Sequence, residues 1–186
     1  MMPLETERLV IRNWQNRDRD LFYEINSDEM VMAYFAFRRN RGESDVFLDR
    51  MRETIARNGH GFTALELKQT GETIGFAGLS RTEIVPDLAA GTMEIGWRLA
   101  SRYWGKGYVT EAGRELLRFG FEDLGEEFIV SFAVHDNRRS TAVMERLGMR
   151  REPVHDFDHP GIPETHAHLR PHVVYVLGRE EWRERK

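Results

Sequence analysis

The sequence predicts an α+β fold, a mixed sheet flanked by helices. Three observations carry that expectation. Apolar residues alternate with period two in Thr6 to Arg12 and in the stretch around Met93, Ile95, Trp97 and Leu99, and Gly61 to Leu67 and Thr73 to Leu79 read as the two strands of a hairpin. Apolar residues at helical spacing fill the segments between several of these runs. Phe128 to Val134 is apolar almost without a break, as expected of a strand covered on both faces.

In order along the chain, Leu9 and Ile11 alternate with Arg8, Val10 and Arg12 to give a first strand. The polar run Asn16 to Asp20 can start a helix carrying Leu21, Phe22 and Ile25. Met30, Met32, Tyr34, Phe35 and Phe37 form an irregular apolar patch. Ser44 or Asp45 can cap a second helix with Phe47, Leu48, Met51 and Ile55 on one face, ended by Asn58-Gly59. Lys68 to Gly71 is the turn of a hairpin between the next two strands. Pro86-Asp87 and Gly91 mark a loop before the fourth strand. A helix follows from Thr110 to about Asp123, with Val109, Ala112, Leu116 and Phe119 at helical spacing, and Leu124-Gly125 breaks it. After Phe128 to Val134, Asn137 starts a helix with Val143, Met144 and Leu147, and Gly148 ends it. Met149 to Val154 and Val173 to Leu177 are the last two strands, and Trp182 anchors a charged tail from Arg179 to Lys186.

The chain has 186 residues, enough for one domain with a substantial core, and no linker, repeat or low-complexity tract divides residues 1–186. Net charge is −4, so no overall positive field draws nucleic acid, which is not expected as a partner. Cysteine is absent, which excludes disulfides, thiolate metal sites and a cysteine acyl intermediate. That fits a cytoplasmic setting. No run is long enough to span a membrane, and the N-terminus has no apolar signal core.

Glu94 to Ala112 holds the chemistry. A strand leads through Gly105 and Gly107 into a helix. A glycine turn that opens a helix presents unpaired N–H groups together with the positive end of the helix dipole, a seat for phosphate. A Walker loop needs Ser or Thr after Gly-Lys, and Gly107 stands there; a dinucleotide fingerprint needs a third glycine where Thr110 stands. Arg-x-x-Gly-x-Gly is matched in full by Arg102, Gly105 and Gly107.

This last pattern resembles the acyl-CoA motif of the GNAT acetyltransferase superfamily. Trp104-Gly-Lys-Gly-Tyr-Val-Thr-Glu-Ala112 is most similar to the RimJ/RimL-type branch, as are Thr6-x-Arg8-Leu9-x-Ile11-Arg12 and Ile74-Gly75-Phe76. Asn137-x-x-Ser140 followed by Leu147-Gly-Met149 matches the family's second block, although Asn137 also reads as a plain helix cap. The order of elements is the family's too, so the resemblance covers nearly the whole chain. It implies a mostly antiparallel sheet that splays between the fourth and fifth strands.

It also implies acetyl-CoA as co-substrate and an amine as acceptor, with no metal. Pantetheine would lie along the backbone of Trp97, Arg98 and Leu99. The phosphates would take the turn from Arg102 through Trp104, Gly105, Lys106, Gly107 and Tyr108 to Val109. Asn137 would bond the pantetheine–phosphate part, with Ser140 near the sulfur. Glu94 is the first candidate for general base, and His135, at the end of the buried strand, is the second, since an imidazole carries protons near neutral pH. The tyrosine that serves as acid in many members is replaced by Met144, which leaves Ser140 to assist the thiolate. The loop holding His155, Asp156, Asp158, His159, His166, His168 and His172 fits no zinc spacing and is expected to cover the acceptor pocket. The segment at Met30 to Phe37 often borders that pocket in the family. Two functions follow: an N-acetyltransferase acting on a primary amine, on a protein N-terminus or a small molecule, or an acyl-CoA-binding regulatory module that has lost turnover. Monomer and homodimer are both open.

Overall fold

A computed structural model describes residues 3–185; Met1, Met2 and Lys186, the last residue of the predicted charged tail, lie outside it. The strands are β1 (Leu4–Glu5), β2 (Leu9–Arg12), β3 (Phe62–Leu67), β4 (Thr73–Thr82), β5 (Thr92–Leu99), β6 (Phe128–Val134), β7 (Arg150–Arg151), β8 (Phe157–Asp158) and β9 (Pro171–Gly178). The helices are α1 (Arg19–Ser27), α2 (Arg41–Asn58), α3 (Tyr108–Arg118), α4 (Arg138–Arg146) and α5 (Arg179–Arg183). The sheet runs β1-β2-β3-β4-β5-β6-β9-β7, with β8 also on β9. Every pairing is antiparallel except β5 with β6, which is parallel. No helix among the described residues is long and apolar enough to cross a membrane.

The parallel pair is the decisive feature. β4 and β5 keep register from Gly75–Leu99 to Thr82–Thr92, whereas β5 and β6 share one register pair, Glu94–Val130. Beyond it the strands part, and the Ser131 hydroxyl donates to the Ile95 carbonyl at 2.8 Å at the fork. The predicted splay between the fourth and fifth predicted strands is therefore present. On one face of β5, Met93, Ile95 and Leu99 are buried against Ala112, Leu116 and Leu117 of α3 in the main core. The opposite face carries Glu94, Gly96 and Arg98, each partly exposed.

Several boundaries move for local reasons. Helix α2 is capped by Asn40, not Ser44 or Asp45: the Asn40 side chain accepts from the Glu43 amide at 3.0 Å, and the Glu43 carboxylate accepts from the Asn40 amide at 2.9 Å. Ser44 instead lies on the helix's buried face. Helix α3 begins at Tyr108, two residues before Thr110, because Gly107 (φ 80°) is its N-cap. It closes in a wide turn, Leu124 amide to Phe119 carbonyl at 3.0 Å. The expected strand at Met149 to Val154 shrinks to two residues before Pro153. The loop from His155 holds β8 and a short 3-10 turn at Glu164–Leu169. Trp182 of α5 packs on Phe121, ring centroids 5.3 Å apart.

Arg12, on the face of β2 opposite Leu9 and Ile11, is only 6% exposed. Its guanidinium donates to both Asp18 oxygens at 2.8 and 2.9 Å, to the Thr73 hydroxyl oxygen and to Glu66. Asp18 also takes the Thr73 hydroxyl and the Gln15 amide. Burial opposes the Asp18 charge, but the hydrogen bonds from Arg12, Thr73 and Gln15 outweigh it and hold its pKa below the ordinary value.

Candidate active site

Strand alternation decides which main-chain groups the splay frees. The Ile95 carbonyl points toward β6, so the N–H and C=O groups of Trp97 and Leu99 point the same way. Those of Arg98 face β4 opposite Phe76, so of the three residues expected along the pantetheine only Trp97 and Leu99 present backbone to the gap. The Trp104 indole N–H takes the Leu99 carbonyl at 2.9 Å, which ties the end of β5 to the following turn.

That turn leaves a row of amides uncommitted. Gly105 and Gly107 both adopt left-handed φ, 73° and 80°. A Cβ on Gly105 would meet no atom within 4 Å, so that face of the turn is open. No hydrogen bond among the described residues takes the amides of Gly105, Lys106 or Gly107. Helix α3 has no side-chain cap, and its first intrahelical bond is from the Glu111 amide to the Gly107 carbonyl at 3.0 Å. The amides of Tyr108 and Val109 thus join the same row. The Arg102 side chain is paired with Glu24 of α1. Lys106 lies 5.3 Å from the Tyr103 ring.

Glu94 stands where β5 and β6 part, in register with Val130. Burial raises its pKa to about 7, and a hydrogen bond with the Thr82 side chain pulls the other way. Its carboxylate reaches toward Gly96, where a Cβ would lie 3.4 Å from Oε1 and 3.0 Å from the Phe62 ring. Across the gap, Asn137 caps α4 through its side-chain oxygen, which accepts the Ser140 amide at 3.2 Å. Capping uses the oxygen, and the Asn137 NH₂ makes no hydrogen bond among the described residues. The Ser140 hydroxyl makes no hydrogen bond among the described residues. Met144 is buried in the core. His135 is exposed, with Nε2 3.1 Å from Asp136 and its amide on the Pro171 carbonyl. The histidine-rich segment lies over β6 and β9: Phe157 joins Val130, Val174 and Val176 in a second apolar cluster, and stacks on His172 at 5.4 Å. Burial lowers the pKa of His159 and of His172.

Residues 8–150 match the family model described as Acetyltransferase (GNAT) domain. The chain belongs to the GNAT acetyltransferase family. Two curated relatives are similar over most of its length. FsC-acetyl coenzyme A-N(2)-transacetylase of Aspergillus fumigatus is 28% identical, covering 96% of this chain and 77% of its own. The uncharacterized N-acetyltransferase YnaD of Bacillus subtilis is 29% identical, covering 97% and 99%. A GNAT-family acetyltransferase from Bacillus anthracis superposes with TM-score 0.77 at 24% identity, covering 96% of this chain and 99% of that one, a likeness of fold. As a GNAT acetyltransferase, the chain takes acetyl-CoA as acyl donor, and the uncommitted amides from Gly105 to Val109 fit its diphosphate.

Four features of this GNAT site escaped sequence reasoning. Glu111, read only as part of a motif, takes the Thr6 hydroxyl at 2.5 Å, the Arg8 amide at 2.8 Å and the Arg8 guanidinium at 2.6 Å, pinning the start of β2 to α3. Arg8 also donates to the Lys106 carbonyl at 3.0 Å and so braces the glycine turn. Tyr34 donates to the Asp136 carbonyl at 3.2 Å, which links the irregular apolar segment to the β6–α4 loop across the splay. The Arg98 side chain reaches that same segment, 4.2 Å from the Phe35 ring. Only the recurrence of Thr6, Arg8 and Glu111 in family-like strings signalled any of these pairings.

Proposed function

We propose that this GNAT acetyltransferase, a member of the RimJ/RimL-type branch, moves the acetyl group of acetyl-CoA to a primary amine on a protein N-terminus or a small molecule. The observation that carries the reading is the position of Glu94, pKa about 7, at the fork of the splay and beside a strand edge with free amides. Both substrates are held together, so the amine attacks the thioester directly. The chain has no cysteine to form an acyl intermediate. Glu94 takes a proton from the amine, directly or through one water, as the N–C bond forms. An N–H of Trp97 or Leu99 stabilises the oxyanion. The C–S bond then breaks, and the Ser140 hydroxyl donates a hydrogen bond to the departing thiolate, which gains its proton at release. His135, exposed and beside Asp136, is the less well placed base. The test is release of free CoA thiol from acetyl-CoA across a panel of amines. Amine-dependent release supports acyl transfer; acetyl-CoA binding with no release for any amine supports the regulatory module.

A further inference from the structure

One charged group on the Glu94 face has no counter-ion. Arg98 forms no ion pair among the described residues, although fifteen of the chain's other arginines do. One terminal nitrogen donates to the Asn26 side chain at 2.6 Å. Among the described residues Nε is buried without a partner, and the other terminal nitrogen makes no hydrogen bond and keeps solvent access. The guanidinium lies 4.2 Å from the Phe35 ring and 5.4 Å from the Phe76 ring. A second cation adjoins it. Arg39 is held by its amide on the Asn26 carbonyl at 3.0 Å, and its guanidinium lies between Phe37 and Phe47 at 4.7 and 4.3 Å, again without an ion pair among the described residues. Glu43 acts on Arg39 through space, but its carboxylate is spent capping α2. Burial, and then the Arg39 charge, lower the Arg98 pKa to about 9. A half-buried cation beside a second cation is costly unless an anion completes it.

We propose that Arg98 and Arg39 seat an anionic group of the acceptor, a carboxylate or a phosphate, while its amine lies at Glu94. The proposal rests on the acyl-transfer reading for the identity of the anchored molecule. Glu94 and Arg98 share a face, and the Phe62 and Phe76 rings, 5.6 Å apart, line the way between them. Four residues of strand separate the two Cα atoms by about 13 Å. After the reach of both side chains, that suits an acceptor two or three residues long, about 7–11 Å in extended form. A guanidinium binds carboxylate and phosphate alike through paired N–H donors.

The test uses matched pairs: di- and tripeptides with free or amidated C-termini, and aminohexyl phosphate against aminohexanol. Calorimetry on the full chain saturated with CoA gives affinities without turnover. The expected result is that the anionic member of at least one pair binds tenfold or more tightly. Arg98→Met abolishes the difference, Arg98→Lys keeps part of it, Arg39→Met weakens it severalfold, and acetyl-CoA affinity stays unchanged. If peptide acids discriminate and the phosphate does not, the anion is a carboxylate; the reverse assigns a phosphate. Equal affinity within every pair, or a preference that survives Arg98→Met, overturns the proposal. Should Arg98→Met fail to fold, the wild-type comparison and Arg39→Met still decide it. Anion-dependent binding without thiol release sinks acyl transfer and supports the seat; equal thiol release from acids and amides does the opposite.

Discussion

Replacing Glu94 by Gln removes a proton acceptor and a half-buried charge in one step, so it moves two observables in opposite directions. With a folded pKa of about 7, Glu94 is roughly one-tenth ionised at pH 6 and nine-tenths at pH 8. The rate with saturating acetyl-CoA and limiting amine should therefore rise about tenfold between those values on account of this group. Glu94→Gln lowers turnover roughly 100- to 10,000-fold, the usual worth of a general base, and abolishes that rise. Stability moves the other way. The pKa is higher folded than the ordinary 4.5, so wild-type stability falls as pH rises from 4.5 through 7. Above pH 7 the penalty is on the order of 3 kcal/mol, which Gln avoids. At pH 8 the variant should unfold about 6–12 °C higher than wild type, and near pH 4 this advantage should vanish. Thiol release from pH 5.5 to 9 and thermal unfolding at pH 4 and pH 8 read both arms. His135→Gln, at an exposed position, should leave the rise in place. Unchanged turnover in Glu94→Gln, or a rise that persists in it and disappears in His135→Gln, would refute the assignment of the base.

Gly107→Val forces a β-branched residue into φ 80°, at a strain on the order of 1–3 kcal/mol, and turns the α3 amides away from the diphosphate. Acetyl-CoA affinity by calorimetry should fall more than about 100-fold with cooperative unfolding retained; normal affinity would contradict the backbone cradle. Ser140→Ala loses a donor to a charged leaving group worth about 1.5–3 kcal/mol, so kcat should drop roughly 10- to 100-fold with the acetyl-CoA KM unchanged. An unaltered kcat would remove Ser140 from thiolate departure. Asp18→Asn breaks a buried ion pair and should cost about 3–5 kcal/mol by denaturant unfolding at pH 7. Because the folded Asp18 pKa is depressed, its contribution is complete above the ordinary value of 3.8 and lost as pH falls through the folded one. The gap to wild type should narrow only in strong acid, and a gap independent of pH would point to packing instead.

Much of the frame was legible because local chemistry dictates it. Alternation placed Ile95 and Leu99 in the core and Glu94 on the other face, since β geometry imposes period two. Gly59, Gly105 and Gly107 marked chain reversals and caps because they occupy left-handed φ that other residues resist. Where the reading went astray or was silent, a distant or competing partner had won. Asn40 capped α2 because Glu43 could answer it, and Arg12 turned inward because Asp18, Glu66 and Thr73 converge on it from three other segments. Neither pairing leaves a periodic trace.

The amino-acid order alone determined the main run of strands and helices, the glycine turn and the family pattern, all of which arise from torsional preference and spacing within a few residues. Tertiary structure decided the rest. It limited β5 and β6 to one register pair, turned Trp97 and Leu99 rather than Arg98 toward the gap, buried Glu94 enough to titrate near neutrality, and set Arg98 beside Arg39 with no ion pair for either among the described residues. Those outcomes depend on which distant side chains surround a group and how much water they displace, and distance along the chain carries no record of either.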